Sequence, residues 1–562
     1  MKRLYKIFIV AGMMILAGAC TDKFNDINIK PDAFTQDEVS AKYFITGPQY
    51  RLYAPDRYPY WRAHLIHMDR FAGHFCFGFK GSWWSDELGY SYNSGYTDAA
   101  WDWLAGYIGG LDNFMKLVDT GGEFENEYMY AVGKIMRGLY FQMFTDVFGM
   151  ITYTEATNPD ITLPALDEQA VIYEGLIDEL DEAMATIGSA TATGVGVDDL
   201  GENDIYCGGD LQKWKKLANT LKLRIAMRAY EAPGATFAQA AITEALAADL
   251  LDDDVLMEKD NIISQWSAAA YGDVWYNFGA GSDWTVGKTL IDALRDNNDP
   301  RLPFYAQPAK GGTVVIQAPK GTEADFHWDR VNFVTGILDD AGVSYTYSDG
   351  LPADSTVTIV MPENVYYVGQ PTRVNGKTNP YMAYEFFSIP AEEIIAAKNT
   401  SPIRAELIMS EAEAYFLQAE AVVKGLTTGD ENALYQEGIR QAMALWGVSS
   451  GEIDNYIANE AVATLTGDTD DEKLEKIATQ RWIVSYTDGF EAFAIVRDSG
   501  YPAELANGVS DFTIFGPGDI NGDYPQRMQY GNSLKNNNTA NYNAALAIQG
   551  ADVMDTKLWW AK

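Results

Sequence analysis

Apolar residues recur at three- and four-residue steps through the first half of the chain. Between residues 126 and 149 they form one stripe, made of Tyr128, Val132, Ile135, Leu139 and Met143. This spacing puts side chains on one face of a helix, and a glycine such as Gly149 is typical of a helix end. Segments 168–188, 210–230 and 235–251 repeat the pattern, with Asp210 placed to cap the third of these four segments. The pattern predicts a succession of amphipathic helices.

The pattern changes between residues 252 and 401. This part is rich in Gly, Pro, Asp and aromatic residues, and its apolar runs, such as "GTVVIQA" and "TVTIVM", are short and β-like. Helical spacing returns at 404–425, where Leu407, Ala414 and Leu417 share a face, and at 432–447 and 471–489. Paired helices of this size can stack as a solenoid-like layer, although no clean repeat of about 34 residues is present. We predict one mainly α domain, 41–562, with a loop and short-strand insertion at about 252–401.

The first 19 residues are typical of an export signal. Lys2, Arg3 and Lys6 precede a 13-residue apolar run that ends just before Cys20. Such a run is too short to span a bilayer, and a cysteine after small residues is typical of a lipidated N-terminus. The alternative is an ordinary signal peptide with a coincidental cysteine. We predict a lipoprotein signal peptide at 1–19, a lipidated tether at 20–40 with Cys20 as the lipid-bearing residue, and no membrane-spanning segment after it.

Charge narrows the range of partners. Asp and Glu number 79 against 41 Lys and Arg, so the net charge is −38. Such a surface repels nucleic acid and anionic lipid, and it suits neutral or cationic ligands. After Cys20 the only cysteines are Cys76 and Cys207. They are either two small buried residues or, outside the cytoplasm, a disulfide.

Eight motifs, in order along the chain, carry a family resemblance. They are "TDKFNDINIKPDAFT", "DVFGMITYTEA", "WKKLANTLKLRIAMR", "NDPRL", "IMSEAEAYFLQAEA", "QRWIVSYTDGFEAFAIVRDSGYP", "YPQRMQYG" and "KLWW". This order resembles the SusD/RagB family of nutrient-binding outer-membrane lipoproteins of Bacteroidetes, in particular its SusD-like 2 subgroup. The resemblance covers essentially the whole chain after Cys20. Two positions depart from the family pattern: "VRDSGYP" has a single arginine, Arg497, and Gly531 stands where proline is common.

The resemblance implies both a fold and a function. Members of the family have a helical scaffold with tetratricopeptide-like helix pairs and ligand loops on one side. They are held by lipid on the cell surface of the outer membrane, pair with a SusC-type TonB-dependent transporter barrel and act as its ligand-binding lid. Most bind glycans, the RagB branch binds peptides, and they are not enzymes. We therefore expect a non-catalytic glycan-binding lipoprotein that needs no cofactor or metal, with peptide capture as the alternative.

Two aromatic segments occupy the positions from which the family takes its ligand contacts. Eight of the 26 residues from Gly78 to Trp103 are aromatic, and they lie among Gly, Ser, Asn and Asp. An indole or phenol ring can stack on the C–H face of a sugar, while polar neighbours bond to its hydroxyl groups. The predicted contacts are Trp83, Trp84, Asp86, Tyr90, Tyr92 and Asn93 in this segment, and Tyr271, Trp275 and Trp284 in 265–284.

Other interpretations of these aromatic residues stay open. Trp83 and Trp84 contact ligand or pack within the loop, and the helical spacing around Trp101 predicts that it belongs to the core. A third cluster, with Tyr366, Tyr367 and Arg373, is interpreted as a ligand rim or a transporter contact.

The sequence contains only partial matches to known catalytic and metal-binding motifs. "GVSSG" fits a nucleophile elbow but follows a predicted helix, so Ser450 is interpreted as a helix N-cap. His64, His67 and His74 lie close together without the spacing of a zinc protease, and "DINGDY" lacks the full calcium-loop pattern. A glycoside hydrolase needs only two nearby carboxylates, so it stays as a further alternative.

Overall fold

The computed structural model describes residues 39–53, 55, 59–77, 87, 89–259, 284–317, 324–349, 356–394 and 404–561. Within them the chain is mainly helical with few short strands, which confirms the predicted fold class. The helices are α1 Thr46–Tyr53, a π-helix Tyr60–Met68, α2 Asp69–Phe71, α3 Ser94–Val118, α4 Glu127–Phe148, α5 Gln169–Ile187, α6 Leu211–Ala229, α7 Ala238–Leu246, α8 Lys288–Arg295, α9 Leu302–Tyr305, α10 Ala324–Asp340, α11 Glu411–Val423, α12 Glu431–Ala444, α13 Ser450–Asn459, α14 Asp470–Val484, α15 Gly489–Ser499, α16 Ala503–Ala506, α17 Asn532–Asn537 and α18 Thr539–Gln549.

The strands pair in small antiparallel sheets. They are β1 Phe75–Phe77, β2 Val255–Met257, β3 Trp284–Val286, β4 Ala306–Gln307, β5 Gly312–Gln317, β6 Thr346–Asp349, β7 Thr356–Met361, β8 Ile389–Pro390 and β9 Glu406–Met409. Two-stranded ladders join β1 to β3, β2 to β9 and β4 to β8, and a three-stranded sheet has the order β5-β7-β6. Most of these partners are far apart in sequence, so the ladders connect distant parts of the chain.

The first three predicted N-terminal helices begin and end within a residue or two of their predicted segments, whereas α7, Ala238–Leu246, is shorter than the predicted segment 235–251. The Asp210 carboxylate accepts hydrogen bonds from the backbone N–H groups of Gln212 and Lys213 and so caps α6. Gly149 follows α4 with a φ of 85°, a conformation that favours glycine. Helix α4 packs against α3 and α5, and α6 packs against α5 and α7. These contacts confirm the amphipathic helices read from the apolar spacing.

The C-terminal helices form the tetratricopeptide-like pairs. Helix α11 packs against α12 and α14 around a core that includes Phe416, Tyr435 and Ile439. A Cβ on Gly438 would lie 2.5 Å from the Phe416 ring, so glycine permits the close approach of α11 and α12. One prediction in this region is wrong: Leu407 lies in strand β9, because pairing with β2 outweighs the helical spacing, and the helix begins only at Glu411.

Described residues between Ala309 and Phe387 form a second hydrophobic core, whereas Val255, Trp284 and Leu290, also within the predicted insertion, belong to the main core. Helix α10 and the inner face of the β5-β7-β6 sheet enclose the second core, and alternate strand residues such as Val314, Ile316, Val357 and Ile359 are buried there. This alternation is what a sheet with one covered face requires. The short β-like runs of the sequence are therefore confirmed as β5 and β7.

Candidate functional site

A two-stranded ladder brings the two aromatic segments together. Strand β1 precedes residues 78–86 and β3 follows residues 260–283, and the two strands pair with Phe77 opposite Trp284. Side chains directly opposite on such a ladder have Cβ atoms roughly 5 Å apart. The first segment therefore starts where the second one ends. The sequence presented them as two separate clusters, since nothing local indicates that β1 pairs with β3.

The predicted contact residues fall into two groups. Cys20, Trp83, Trp84, Asp86, Tyr271 and Trp275 lie outside the described residues. Of the others, Tyr90 is 4% exposed and Trp284 is 1% exposed, with the Trp284 ring centroid 5.6 Å from that of Phe77. Neither ring offers an open face in this structure, because each packs into the scaffold. Their contact with ligand stays a prediction.

Tyr92 and Asn93 lie nearer the solvent. The half-buried Tyr92 ring has Lys535 Nζ 4.8 Å from its centroid, and its hydroxyl lies 3.5 Å from Asp98 Oδ1. Burial, followed by the Asp98 charge, raises the pKa of Tyr92. Asn93 is exposed and caps α3, since its Oδ1 accepts the Gly95 N–H at 2.9 Å. Asn93 therefore fixes the start of the helix that follows the first aromatic segment.

In the third cluster, the structure contradicts the interpretation of Arg373 as part of a ligand rim or a transporter contact. Arg373 is 2% exposed, so it cannot form a ligand rim or a transporter contact in this structure. Its guanidinium instead donates to backbone carbonyls of the loop 516–523. The reason is tertiary: residues 373–375 run antiparallel to 514–516, which closes a loop around the side chain. Tyr366 and Tyr367 are half-buried.

Three half-buried rings are not among the predicted contacts, although Tyr96 and Trp103 lie within the segment Gly78–Trp103. Tyr50 donates its hydroxyl to the Glu258 carbonyl at 3.4 Å, next to the start of the second aromatic segment. Trp103 donates its indole N–H to the Arg51 carbonyl at 3.0 Å, and Arg62 lies 5.8 Å from the Tyr96 ring centroid. Their helical context favours core packing, and each ring is nevertheless only partly buried.

The three clustered histidines are structural. His64, His67 and His74 are all buried, and desolvation lowers the pKa of His64 to about 3, of His67 to about 4 and of His74 to about 3. Within the described part of the chain, no group of three His, Cys, Asp or Glu side chains is arranged to hold a metal. The histidines are therefore neutral at physiological pH and pack within the scaffold.

Acid is expected to weaken the contribution of His74. Its Nε2 lies 3.1 Å from the Trp482 carbonyl, to which it donates. Between pH 6.5 and about 3 the unfolded chain holds a proton on this histidine that the folded chain does not, so stability falls as pH falls. The stability difference between wild type and His74→Gln should shrink by about 2 kcal/mol from pH 6.5 to 5. Urea unfolding at several pH values measures it, and a difference independent of pH would contradict this assignment.

Two further motifs have structural roles. Ser449 and Glu452 form a capping box at the start of α13, so the N-cap is Ser449 and not Ser450 as predicted. A helix, α12, precedes this turn where a nucleophile elbow requires a strand. Cys76 and Cys207 are buried, and Cys76 Sγ lies 3.3 Å from the Gln370 carbonyl oxygen, which confirms the interpretation as buried residues.

The chain belongs to the SusD-like 2 family, described as starch-binding associating with outer membrane, whose profile matches residues 69–336 and 358–531. No curated protein sequence matches the chain. The family assignment confirms the resemblance found in the sequence, and it associates the protein with the outer membrane.

Solved structures share this fold. A protein described as chitin-binding superposes with a TM-score of 0.69 at 23% identity, covering 92% of this chain and 99% of its own. A SusD-like protein from Bacteroides thetaiotaomicron gives 0.69 at 23% identity, with 93% and 98% covered. A SusD homologue from Bacteroides uniformis gives 0.69 at 20% identity, with 93% and 99% covered. At these identities the likeness concerns the fold.

None of the described helices combines the length and the apolar character that crossing a membrane requires.

Proposed function

We propose that this protein is a non-catalytic, cell-surface glycan-binding lipoprotein. It captures an oligosaccharide and delivers it, as a lid, to a SusC-type TonB-dependent transporter of the outer membrane. Membership of a starch-binding, outer-membrane-associated family supports the ligand class and the location. Cys20 would carry the lipid that holds the tether, residues 20–40, at the membrane.

The observation that carries the proposal is the pairing of Phe77 with Trp284. Because one end of each aromatic segment is attached to this pair, the proposal assigns Trp83, Trp84, Tyr271 and Trp275 to one site. Several rings attached near one point suit a chain of sugar units, since each ring can cover the C–H face of one unit. A ring has only two side-chain torsions, so ordering it on binding costs little entropy.

Charge supports a ligand without acidic groups. The chain carries 79 acidic and 41 basic residues, so uronic acids and sulfated sugars would meet repulsion. A neutral glycan avoids that repulsion, because its hydroxyl groups carry no charge.

Loss of either Trp83 or Trp275 is expected to weaken glycan binding at least about tenfold, roughly 1.4 kcal/mol, because each change removes a stacking surface. The measurement is calorimetric titration of the mature protein and of Trp83→Ala and Trp275→Ala against plant, microbial and host polysaccharides. Trp328→Ala is the matched control, since Trp328 is an exposed tryptophan on α10. Unchanged affinity in both variants would contradict this site.

The same titration separates the alternatives. A glycoside hydrolase would release reducing ends from the polymer, whereas a binding protein leaves the polymer intact. A RagB-like peptide lid would ignore the glycan panel and would carry peptides through purification. Hydrolysis requires a pair of suitably placed carboxylates, whereas glycan binding does not. The reducing-end assay therefore decides between the two functions.

A further inference from the structure

The described end of the first aromatic segment rests on a loop from the C-terminal part of the chain. The Asp519 N–H donates to the Tyr90 carbonyl at 3.0 Å, and the Asp519 carboxylate accepts the Tyr92 N–H at 2.7 Å. A Cβ on Gly518 would lie 2.3 Å from the Tyr90 carbonyl oxygen, and one on Gly516 would lie 2.5 Å from the Glu87 side chain. Glycine at both positions lets the loop 516–523 lie directly against residues 87–92.

One buried guanidinium holds this loop closed. Arg373 Nε donates to the Gly516 carbonyl at 2.7 Å and Nη2 to the Pro517 carbonyl at 2.5 Å. Its Nη1 donates to the carbonyls of Gly522 at 2.9 Å and Asp523 at 2.7 Å. The planar arginine fork presents several fixed N–H groups at once, which the single ammonium of lysine cannot reproduce. The two ends of the loop are therefore joined through one side chain.

The same guanidinium reaches the segment that the loop supports. Arg373 Cζ lies 4.6 Å from the Tyr90 ring centroid, a cation–π distance, and the Tyr90 ring packs on Phe71 at 5.2 Å. The Gly516 N–H donates back to the Arg373 carbonyl at 2.8 Å. Arg373 thus contacts both the loop and the tyrosine that lies just after residues 78–86.

We propose that Arg373 is a positioning residue for ligand binding. Through the loop 516–523 and the Tyr90 ring it sets the place of residues 87–93, and so the point at which the segment bearing Trp83 and Trp84 rejoins the scaffold. The inference rests on the proposed function, because it assumes that this segment contacts the glycan. A segment held in place before binding gives up less conformational entropy when ligand arrives.

The first test compares variants of Arg373 by calorimetry, with starch and chitin oligosaccharides as probes. Arg373→Met should weaken binding at least about tenfold, roughly 1.4 kcal/mol, and Arg373→Lys should lie between it and wild type. Arg497→Met is the matched control, because Arg497 is also buried and donates to the carbonyls of Phe493, Asp146 and Gln526. It should lower the melting temperature while leaving the affinity of the folded protein unchanged.

A second variant keeps the test independent of folding and of the probe. Asp519 is exposed, so Asp519→Ala should fold normally, raise amide hydrogen exchange at residues 87–93 and weaken binding several-fold. Asp519→Asn should restore both, because its amide oxygen still accepts the Tyr92 N–H. Wild-type exchange and affinity in both Arg373→Met and Asp519→Ala would overturn the inference. If wild type binds neither probe, the glycan assignment fails, and the exchange measurement alone decides the role of Arg373.

Discussion

Replacing Arg228 with methionine is expected to lower the free energy of unfolding by about 3–5 kcal/mol. The Arg228 side chain is 1% exposed, and its guanidinium lies between two carboxylates, Asp146 at 2.6 Å and Glu491. Methionine fills much of the same volume but leaves Asp146 buried without its cation, and Glu491 keeps its longer contacts to Arg224 and Arg481. A buried carboxylate then either stays ionised in a poorly polar environment or takes up a proton, and both outcomes cost free energy.

The neighbouring ion pairs limit how far the structure can compensate. Arg224 pairs with Glu413 and lies 3.7 Å from Glu491, and Arg481 lies 3.6 Å from Glu491. These cations already have their own acids, so neither can replace Arg228 beside Asp146. The network joins α4, α6, α11, α14 and α15, and its loss would loosen the contact between the N-terminal helices and the C-terminal pairs.

Urea unfolding followed by tryptophan fluorescence measures the effect. Lys134→Met is the control, because Lys134 pairs with the mostly exposed Glu182 and its loss should cost less than about 1 kcal/mol. The double variant Arg228→Met, Glu491→Gln should recover part of the loss, since it removes the charge of an acid that has lost its shortest ion pair. A cost for Arg228→Met as small as that of the control would show that these buried acids need no cation.

The second large effect is expected from Asp204→Ala, which should lower the free energy of unfolding by about 4 kcal/mol. Asp204 is 2% exposed and accepts five hydrogen bonds. The donors are Gln49 Nε2, the N–H groups of Tyr206, Cys207 and Gly209, and Trp214 Nε1, at 2.6 to 3.2 Å. Alanine leaves these donors buried without an acceptor, and each unsatisfied group costs about 1–3 kcal/mol, although such costs are not additive.

The position of Asp204 explains why so much depends on one carboxylate. It ties α1, through Gln49, to the turn before α6 and to the indole of Trp214 inside that helix. Asp204→Asn should have an intermediate effect, because its amide keeps one acceptor oxygen and presents N–H groups to the remaining donors. Asp199→Ala is the control, since the carboxylate of the half-buried Asp199 accepts, among the described residues, a single hydrogen bond, from the Gly201 N–H at 3.2 Å. Equal unfolding free energies for Asp204→Ala and Asp199→Ala would refute the role of Asp204 as a hub.

Much of the candidate site could be located from the sequence, but not assembled from it. The aromatic segments around Trp83 and Trp275 were recognised from composition, because rings among turn-forming residues are visible locally. Their attachment to one ladder depends on β1 and β3, whose paired residues Cys76 and Thr285 are 209 positions apart. No local pattern specifies a pairing over that distance. Trp284 illustrates the same limit, since its burial depends on Phe77 across the ladder.

The sequence by itself determined the helices, several of their caps and the family. Apolar spacing and side chains such as Asp210 act within one or two turns, so the information lies in neighbouring residues. The tertiary structure alone decided that Leu407 lies in a strand, that Arg373 is buried and that β1 and β3, which border the two aromatic segments, pair with each other. Each of these depends on a distant segment that covers or pairs with the residue, because burial and strand pairing are properties of the folded chain and not of its local pattern.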